Sequence, residues 1–246
     1  MQLGERSGST LSREHADYLA KVGEYGRFQA MQDLREANKG RFVYRVARRV
    51  FDILFSGAVL VVGFIPGLVI CAAIMIESPG NPLYKQTRIG RMHRDGSVNK
   101  FTMYKFRSMY KDADARLAEL KDCNEVDGAM FKMKDDPRVT RVGHFLRKHS
   151  IDEFPQFINV FLGQMTIVGP RPPLPTEVDE YDAWAMQRLA VKPGLTGYWQ
   201  VGGRSDVDFE EMVELDLKYI DERSLWVNLR TILQTIKVVF TGEGAY

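Results

Sequence analysis

Twenty-four residues without a charge, ILFSGAVLVVGFIPGLVICAAIMI, run between Asp52 and Glu77. A membrane helix needs about 20 such residues. A buried core helix is the bland alternative, yet so long an uncharged stretch is rare in soluble domains. Pro66-Gly67 falls near the midpoint. A proline inside a helix removes one hydrogen bond and clashes with the preceding turn, so a break is expected at Ile65-Pro66. Six basic residues precede the segment over 33–52 (Arg35, Lys39, Arg41, Arg45, Arg48, Arg49), and four follow it over 77–96 (Lys85, Arg88, Arg91, Arg94). Such residues favour the cytoplasmic side of a membrane. A straight span would push one cluster outward. A helix that enters, breaks and returns keeps both inside, so re-entry is favoured over crossing, although prolines do occur in true spans. The backbone groups freed at the bend need local partners.

Elsewhere the pattern is that of a helix-rich α+β protein, in the α/β class. Residues 1–40 are polar, with Leu19, Val22, Phe28, Met31 and Leu34 suggesting a helical extension. Ser78–Pro82 reads as a turn. Short strands are predicted over Leu83–Gln86 and Asn99–Met109, and a helix over Asp112–Asp122 with Leu117 and Leu120 inward. Thr140 suits the cap of a helix ending near Lys148. Ser150-Ile151-Asp152-Glu153 fits a capping box, but Pro155 suits a helix start as well. Either start leaves both acids at a helix N-terminus, with Phe157–Leu162 continuing to Gly163. Ser205 and Asp208 open a helix carrying Phe209, Val213, Leu217 and Ile220. A last helix runs from Leu225 to Phe240, with Gly242 as its stop and Trp226, Leu229, Leu233, Ile236 and Phe240 as its apolar stripe. That stripe faces either a core or a membrane surface. Three regions result: an extension (1–40), an anchor (41–82, apolar over 53–76) and a catalytic domain (83–246).

Charge and composition narrow the function. A net charge of +2 does not suit coating a nucleic acid. Arg41, Arg45, Arg48 and Arg49 are clustered and would favour anionic headgroups, each by about 1 kcal/mol. Cys71 lies in the apolar run, so pairing with Cys123 is not expected, which fits a reducing compartment. His144 and His149 lack a companion cysteine pair and read as ordinary side chains. The first 40 residues contain no apolar core followed by a small-residue cleavage site.

Candidate chemistry concentrates in LRKHSIDEFPQ, residues 146–156, and in Val168-Gly169-Pro170-Arg171-Pro172. The Asp152 carboxylate can attack phosphorus and form an aspartyl-phosphate. Glu153 offers hard oxygens to Mg²⁺. Arg147 and Arg171 can clamp phosphate oxygens bidentately, and Pro170 and Pro172 restrict where Arg171 reaches. An isolated Asp-Glu pair is more often a solvated helix cap. The combination with two arginines and an anchor is what points to phosphate chemistry.

Lys105-Phe106-Arg107-Ser108-Met109, Leu146–Gln156, Val168–Pro172, Lys192–Gly197, Trp199-Gln200-Val201 and Gly203-Arg204 occur in this order. From about Val46 to the C-terminus the chain thereby resembles the bacterial sugar transferase family, the monotopic phosphoglycosyl transferases. The resemblance implies transfer of a sugar-1-phosphate from a UDP-sugar to polyprenol (undecaprenyl) phosphate, releasing UMP. That would be the first membrane step of exopolysaccharide, capsule or O-antigen assembly. It implies that Asp152 is the nucleophile, that Glu153 binds Mg²⁺ and that Arg147, Arg171 and Arg204 hold phosphates. Lys105 and Gln156 are further substrate-binding candidates on the same motifs. It also implies a re-entrant anchor in the bacterial inner membrane, with the catalytic domain and its interfacial helices on the cytoplasmic face. The C-terminal Gly242–Tyr246 resembles members that start with glucose or galactose. The family often has Ser-Pro at the break; Ile65-Pro66 lacks that hydroxyl. Rival readings are a membrane-bound nucleotide-sugar diphosphatase and an inactive scaffold of a glycan-assembly complex. A second copy of the chain, or glycan-assembly proteins, would be partners beyond the lipid bilayer.

Overall fold

The computed structural model describes residues 39–93, 95–113, 115–116, 136–202 and 208–241, with Gln32, Glu36 and Met133. The N-terminal helix expected around Leu19–Leu34, Leu117 and Leu120 of the helix expected after Asp112, Ser205 and the Gly242 stop lie outside these residues.

The apolar run forms two helices, α1 (Phe42–Val62) and α2 (Phe64–Glu77), bent by 58°. The break is at Gly63, not at Pro66. Pro66 is the third residue of α2, inside the first turn, where backbone N–H groups lack intrahelical partners anyway. Its missing donor therefore does little to the helix there. Gly63 N donates to Val59 O at 2.8 Å and Gly67 N to Gly63 O at 2.8 Å, so the helical ladder largely satisfies the bend itself. A Cβ on Gly63 would lie 2.1 Å from Cζ of Phe154. The elbow sits where only glycine admits that ring.

After the turn, β1 (Leu83–Met92) and β2 (Val98–Phe106) form one antiparallel hairpin, in which β1 runs on past the expected Gln86 and β2 ends at Phe106, before the expected Met109. The register pairs Arg88 with Phe101 and slips between Ile89 and Met92. Helix α3 (Arg141–Lys148) begins as expected, with Thr140 Oγ1 accepting from Gly143 N at 2.9 Å. Helix α4 (Gln156–Leu162) ends at Gly163, whose φ of +82° suits glycine. Strand β3 (Thr166–Val168) pairs in parallel with β4 (Gly194–Thr196). Short helices α5 (Pro175–Asp179) and α6 (Ala183–Met186) lie between them. Helices α7 (Tyr198–Gly202), α8 (Phe209–Glu222) and α9 (Leu225–Thr241) complete the chain. Asp208 caps α8, accepting from Glu211 N at 2.8 Å.

The main core joins Phe101 and Met103 of β2, Val160 of α4, Ile167 and Val168 of β3, Tyr219 and Ile220 of α8 and Ile232 of α9. The expected stripe on α9 does not face it. Trp226, Leu229, Leu233 and Ile236 are exposed, while Thr231 and Ile232 point inward.

Both ends of the apolar pair are fastened to the rest of the fold. Asp52 of α1 is buried and accepts from Thr166 Oγ1 at 2.8 Å and Ile167 N at 3.2 Å. Arg48 donates to Thr166 Oγ1 at 2.8 Å and Val168 O at 2.6 Å, and Arg49 to Val160 O and Phe161 O, both at 2.8 Å. Arg41 donates to Arg223 O at 2.7 Å. These three arginines are thus docking groups, contrary to the expectation that they meet headgroups; Arg45 remains exposed. At the other end, Glu77 accepts from Arg141 N at 2.7 Å and Val142 N at 2.8 Å, which caps α3. Ile74 packs with Phe106 and Leu146.

Candidate active site

Asp152 and Glu153 occupy a 3-10 turn, Ile151–Glu153, between α3 and α4. Ser150 does not cap it. Its φ of +53° is left-handed, because its backbone N closes the end of α3 on Arg147 O at 3.0 Å. An N-cap needs extended backbone, so a residue ending one helix this way cannot cap the next. Phe154 anchors the turn by stacking on Phe106, centroids 6.2 Å apart, and tilting against Phe157 at 6.0 Å.

The KFRSM motif supplies the partners. Lys105 Nζ lies 2.9 Å from Glu153 Oε1 and 3.7 Å from Asp152 Oδ2. Ser108 Oγ accepts from Arg147 Nε at 2.9 Å. Phe106 carries the stack, and Arg107 donates to Ser78 O. Asp152 is buried, and that burial raises its pKa. Lys105 opposes the rise, Glu153 adds to it and Arg147 opposes it. A desolvated carboxylate that cations keep ionised is more basic than one in water, and so a better nucleophile. Glu153 is the more open acid, its side chain 39% exposed against 12% for Asp152. Gln156 is buried at the first position of α4, four residues past Asp152.

Arg171 leaves β3 in the Gly169–Pro172 loop. That loop is held by glycine contact and by β1. Gly169 N donates to Thr196 O and Gly194 N to Pro170 O, both at 2.8 Å; a Cβ on Gly194 would lie 2.1 Å from Gly169 N. Ile89 N donates to Pro173 O at 2.9 Å and Arg88 Nη1 to Pro172 O at 3.0 Å. The Arg171 guanidinium lies 5.7 Å over the ring of Trp199. Arg88 is buried, and burial first, then Arg171, lowers its pKa to about 10, against the opposing pull of Glu177, Tyr84 and Glu153.

The structure thus gathers Asp152, Glu153, Lys105 and Arg147 around one turn, and Arg171 beside Arg88. Arg204 lies outside the described residues. Reading Arg88 only as a basic flank missed its placement. The available signal was Gln86 and Arg88 at i and i+2, two polar residues on one face of a strand. Among the described residues no group of three His, Cys, Asp or Glu side chains could hold a metal. Mg²⁺ is commonly held by one or two carboxylates together with substrate phosphates, and Glu153, the more exposed acid of the pair, is the one that could supply such a ligand.

Adjacent carboxylates, a lysine and arginines thus stand together beside a broken apolar helix. The family described as "Bacterial sugar transferase" matches residues 43–242, and the chain belongs to it. It is 43% identical over 213 residues to the galactosyl transferase CpsE of Streptococcus agalactiae, covering 83% of this chain and 44% of that protein. It is 39% identical over 207 residues to the undecaprenyl-phosphate galactose phosphotransferase of Salmonella typhimurium, covering 82% and 42%. The exopolysaccharide production protein ExoY of Rhizobium meliloti is 38% identical over 205 residues, covering 82% of this chain and 88% of that protein. The chain spans less than half the length of the first two.

Proposed function

We propose that this protein transfers a sugar-1-phosphate from a UDP-sugar to undecaprenyl phosphate, releasing UMP. The observation that carries the reading is Asp152, buried and held by Lys105 and Arg147 in a chain of this family. An Asp152 carboxylate oxygen attacks the phosphorus that bears the sugar. The anhydride bond to the UMP phosphate breaks, and UMP leaves with the electron pair. Lipid phosphate oxygen then attacks the same phosphorus, the Asp152–phosphorus bond breaks, and the carboxylate is restored. Lys105 and Arg147 stabilise charge on the phosphoryl oxygens. Mg²⁺, held through Glu153, would neutralise diphosphate charge when bound. Glucose or galactose is the sugar the relatives' names favour.

The bent pair is read as a re-entrant anchor on the cytoplasmic face of the inner membrane. Among the described residues no single helix is long and apolar enough to cross, though the pair passes by length and composition. Both ends dock on the same folded unit, through Asp52 with Arg41 and through Glu77, which supports re-entry over crossing. Such a site meets a soluble nucleotide-sugar and a lipid-borne phosphate together. A cysteine placed near residue 10 and labelled only from outside intact cells refutes this topology.

The catalytic test pairs mass spectrometry of protein mixed with UDP-glucose or UDP-galactose with turnover of Asp152→Asn. A sugar-phosphate adduct on Asp152 and an inactive variant are expected. An active Asp152→Asn without any adduct on wild type rejects the mechanism. UMP release at full rate without lipid phosphate points to a diphosphatase. Full turnover in excess chelator removes the metal role of Glu153.

A further inference from the structure

Arg88 is only 5% exposed, yet no carboxylate among the described residues lies within ion-pair distance of it. Burying a charge is costly unless it is paired. Its hydrogen bonds use neutral oxygens. Gln86 Oε1 accepts from Nε at 3.0 Å and Nη2 at 2.6 Å, and Pro172 O accepts from Nη1 at 3.0 Å. A guanidinium has five N–H groups, so two remain, one on each terminal nitrogen.

The surroundings are also rich in donors and poor in acceptors. Arg171, whose charge acts most strongly on Arg88, makes no ion pair among the described residues and rests on Trp199. The buried indole N–H of Trp199 has no acceptor among them either. Glu177, the carboxylate whose charge acts most strongly on Arg88, already accepts from Leu174 N at 2.9 Å. Lys105, Arg147, Arg88 and Arg171 are four cations against the three carboxylates Asp152, Glu153 and Glu177, so the site keeps a positive excess that suits an anionic diphosphate.

We propose that Arg88, oriented by Gln86 and Pro172, binds the diphosphate of the nucleotide-sugar alongside Arg171. This rests on the transferase reading above. Two arginines with rigid forks on one rim would hold the leaving UMP phosphate in line while Lys105 and Arg147 serve the attacked phosphorus.

The test measures binding of UDP and of uridine to the full-length protein in detergent, for wild type, Arg88→Gln and Arg88→Lys. Loss of a charge-assisted hydrogen bond predicts UDP binding weakened about 10- to 100-fold in Arg88→Gln, with uridine unchanged. Arg88→Lys, which keeps the charge and loses the fork, falls between. Wild-type UDP affinity in both variants overturns the proposal. So does a parallel loss of UDP and uridine, which marks a structural strap. If Arg88→Gln does not fold, the UDP–uridine difference in Arg88→Lys decides. Wild-type protein that turns over no UDP-sugar fails the transferase reading instead, a result distinct from a variant that keeps its UDP affinity.

Discussion

Gly63→Ala tests the link between the elbow and the dyad, because two effects of opposite sign meet there. Gly63 has φ −80° and ψ −2°, a conformation open to any residue. Replacing a helical glycine by alanine ordinarily stabilises by about 0.5–1 kcal/mol. Here the new Cβ would lie 2.1 Å from Phe154 Cζ, 2.3 Å from Cε2 and 3.0 Å from Val59 O. Carbon atoms in contact sit about 3.5 Å apart, so the ring must retreat by roughly 1.4 Å. Phe106 and Phe157 confine it. Overpacking of this kind costs about 1–3 kcal/mol, leaving a net loss of up to about 2.5 kcal/mol after the propensity gain. In a chain this long that lowers the unfolding midpoint by up to about 10 °C. Phe154 is two residues from Asp152, and a displacement of about 1 Å at a reacting group can cost on the order of a hundredfold in rate. Thermal unfolding in one fixed detergent and UMP release from UDP-sugar plus lipid phosphate read the two effects. Phe154→Leu in the Gly63→Ala background makes room and should restore part of the stability. A Gly63→Ala protein as stable and as fast as wild type sinks the argument.

Two further perturbations address charge. Lys105→Met removes the strongest attraction opposing the burial of Asp152, so the Asp152 pKa rises further. The nucleophile must be ionised, so activity is present above that pKa and lost as pH falls through it. The acid limb of kcat/KM therefore moves to higher pH in the variant, and an unmoved limb in a pH profile counts against Asp152 as the titrating group. Asp216→Ala strands Arg188, which donates from Nε at 2.8 Å to a carboxylate buried beside it. Denaturant unfolding should show a loss of about 3–5 kcal/mol, with the paired change Asp216→Leu and Arg188→Met recovering most of it. Equal losses in both would mean that the ion pair itself stabilises the fold.

What the sequence made legible follows from how local each cause is. Thr140, Asp208 and Gly163 announce their helix ends because capping depends on a few adjacent residues. The dyad was legible because it stands in a dense run of motif residues. The break was misplaced because Pro66 is the stronger local signal, while the cause at Gly63 is a ring that is 91 positions away in sequence. Arg48 and Arg49 read as headgroup ligands because nothing near them names Thr166, Val168 or Val160 as partners. Arg88 escaped for the same reason: its meaning comes from Pro172, across the fold.

The long-range contacts share one arrangement. Gly63 receives Phe154, next to the dyad. Asp52 and Arg48 hold β3, which leads directly to Arg171. Glu77 caps α3, which carries Arg147. Each site element thus has its own tie to the apolar pair. A rigid body dropped onto a membrane would need one tie. Three, spread from the start of the pair to its end, make the position of the pair and the geometry of the site one quantity. Loosening any single tie should therefore move one phosphate-handling group relative to the others, and impair turnover more than it impairs unfolding.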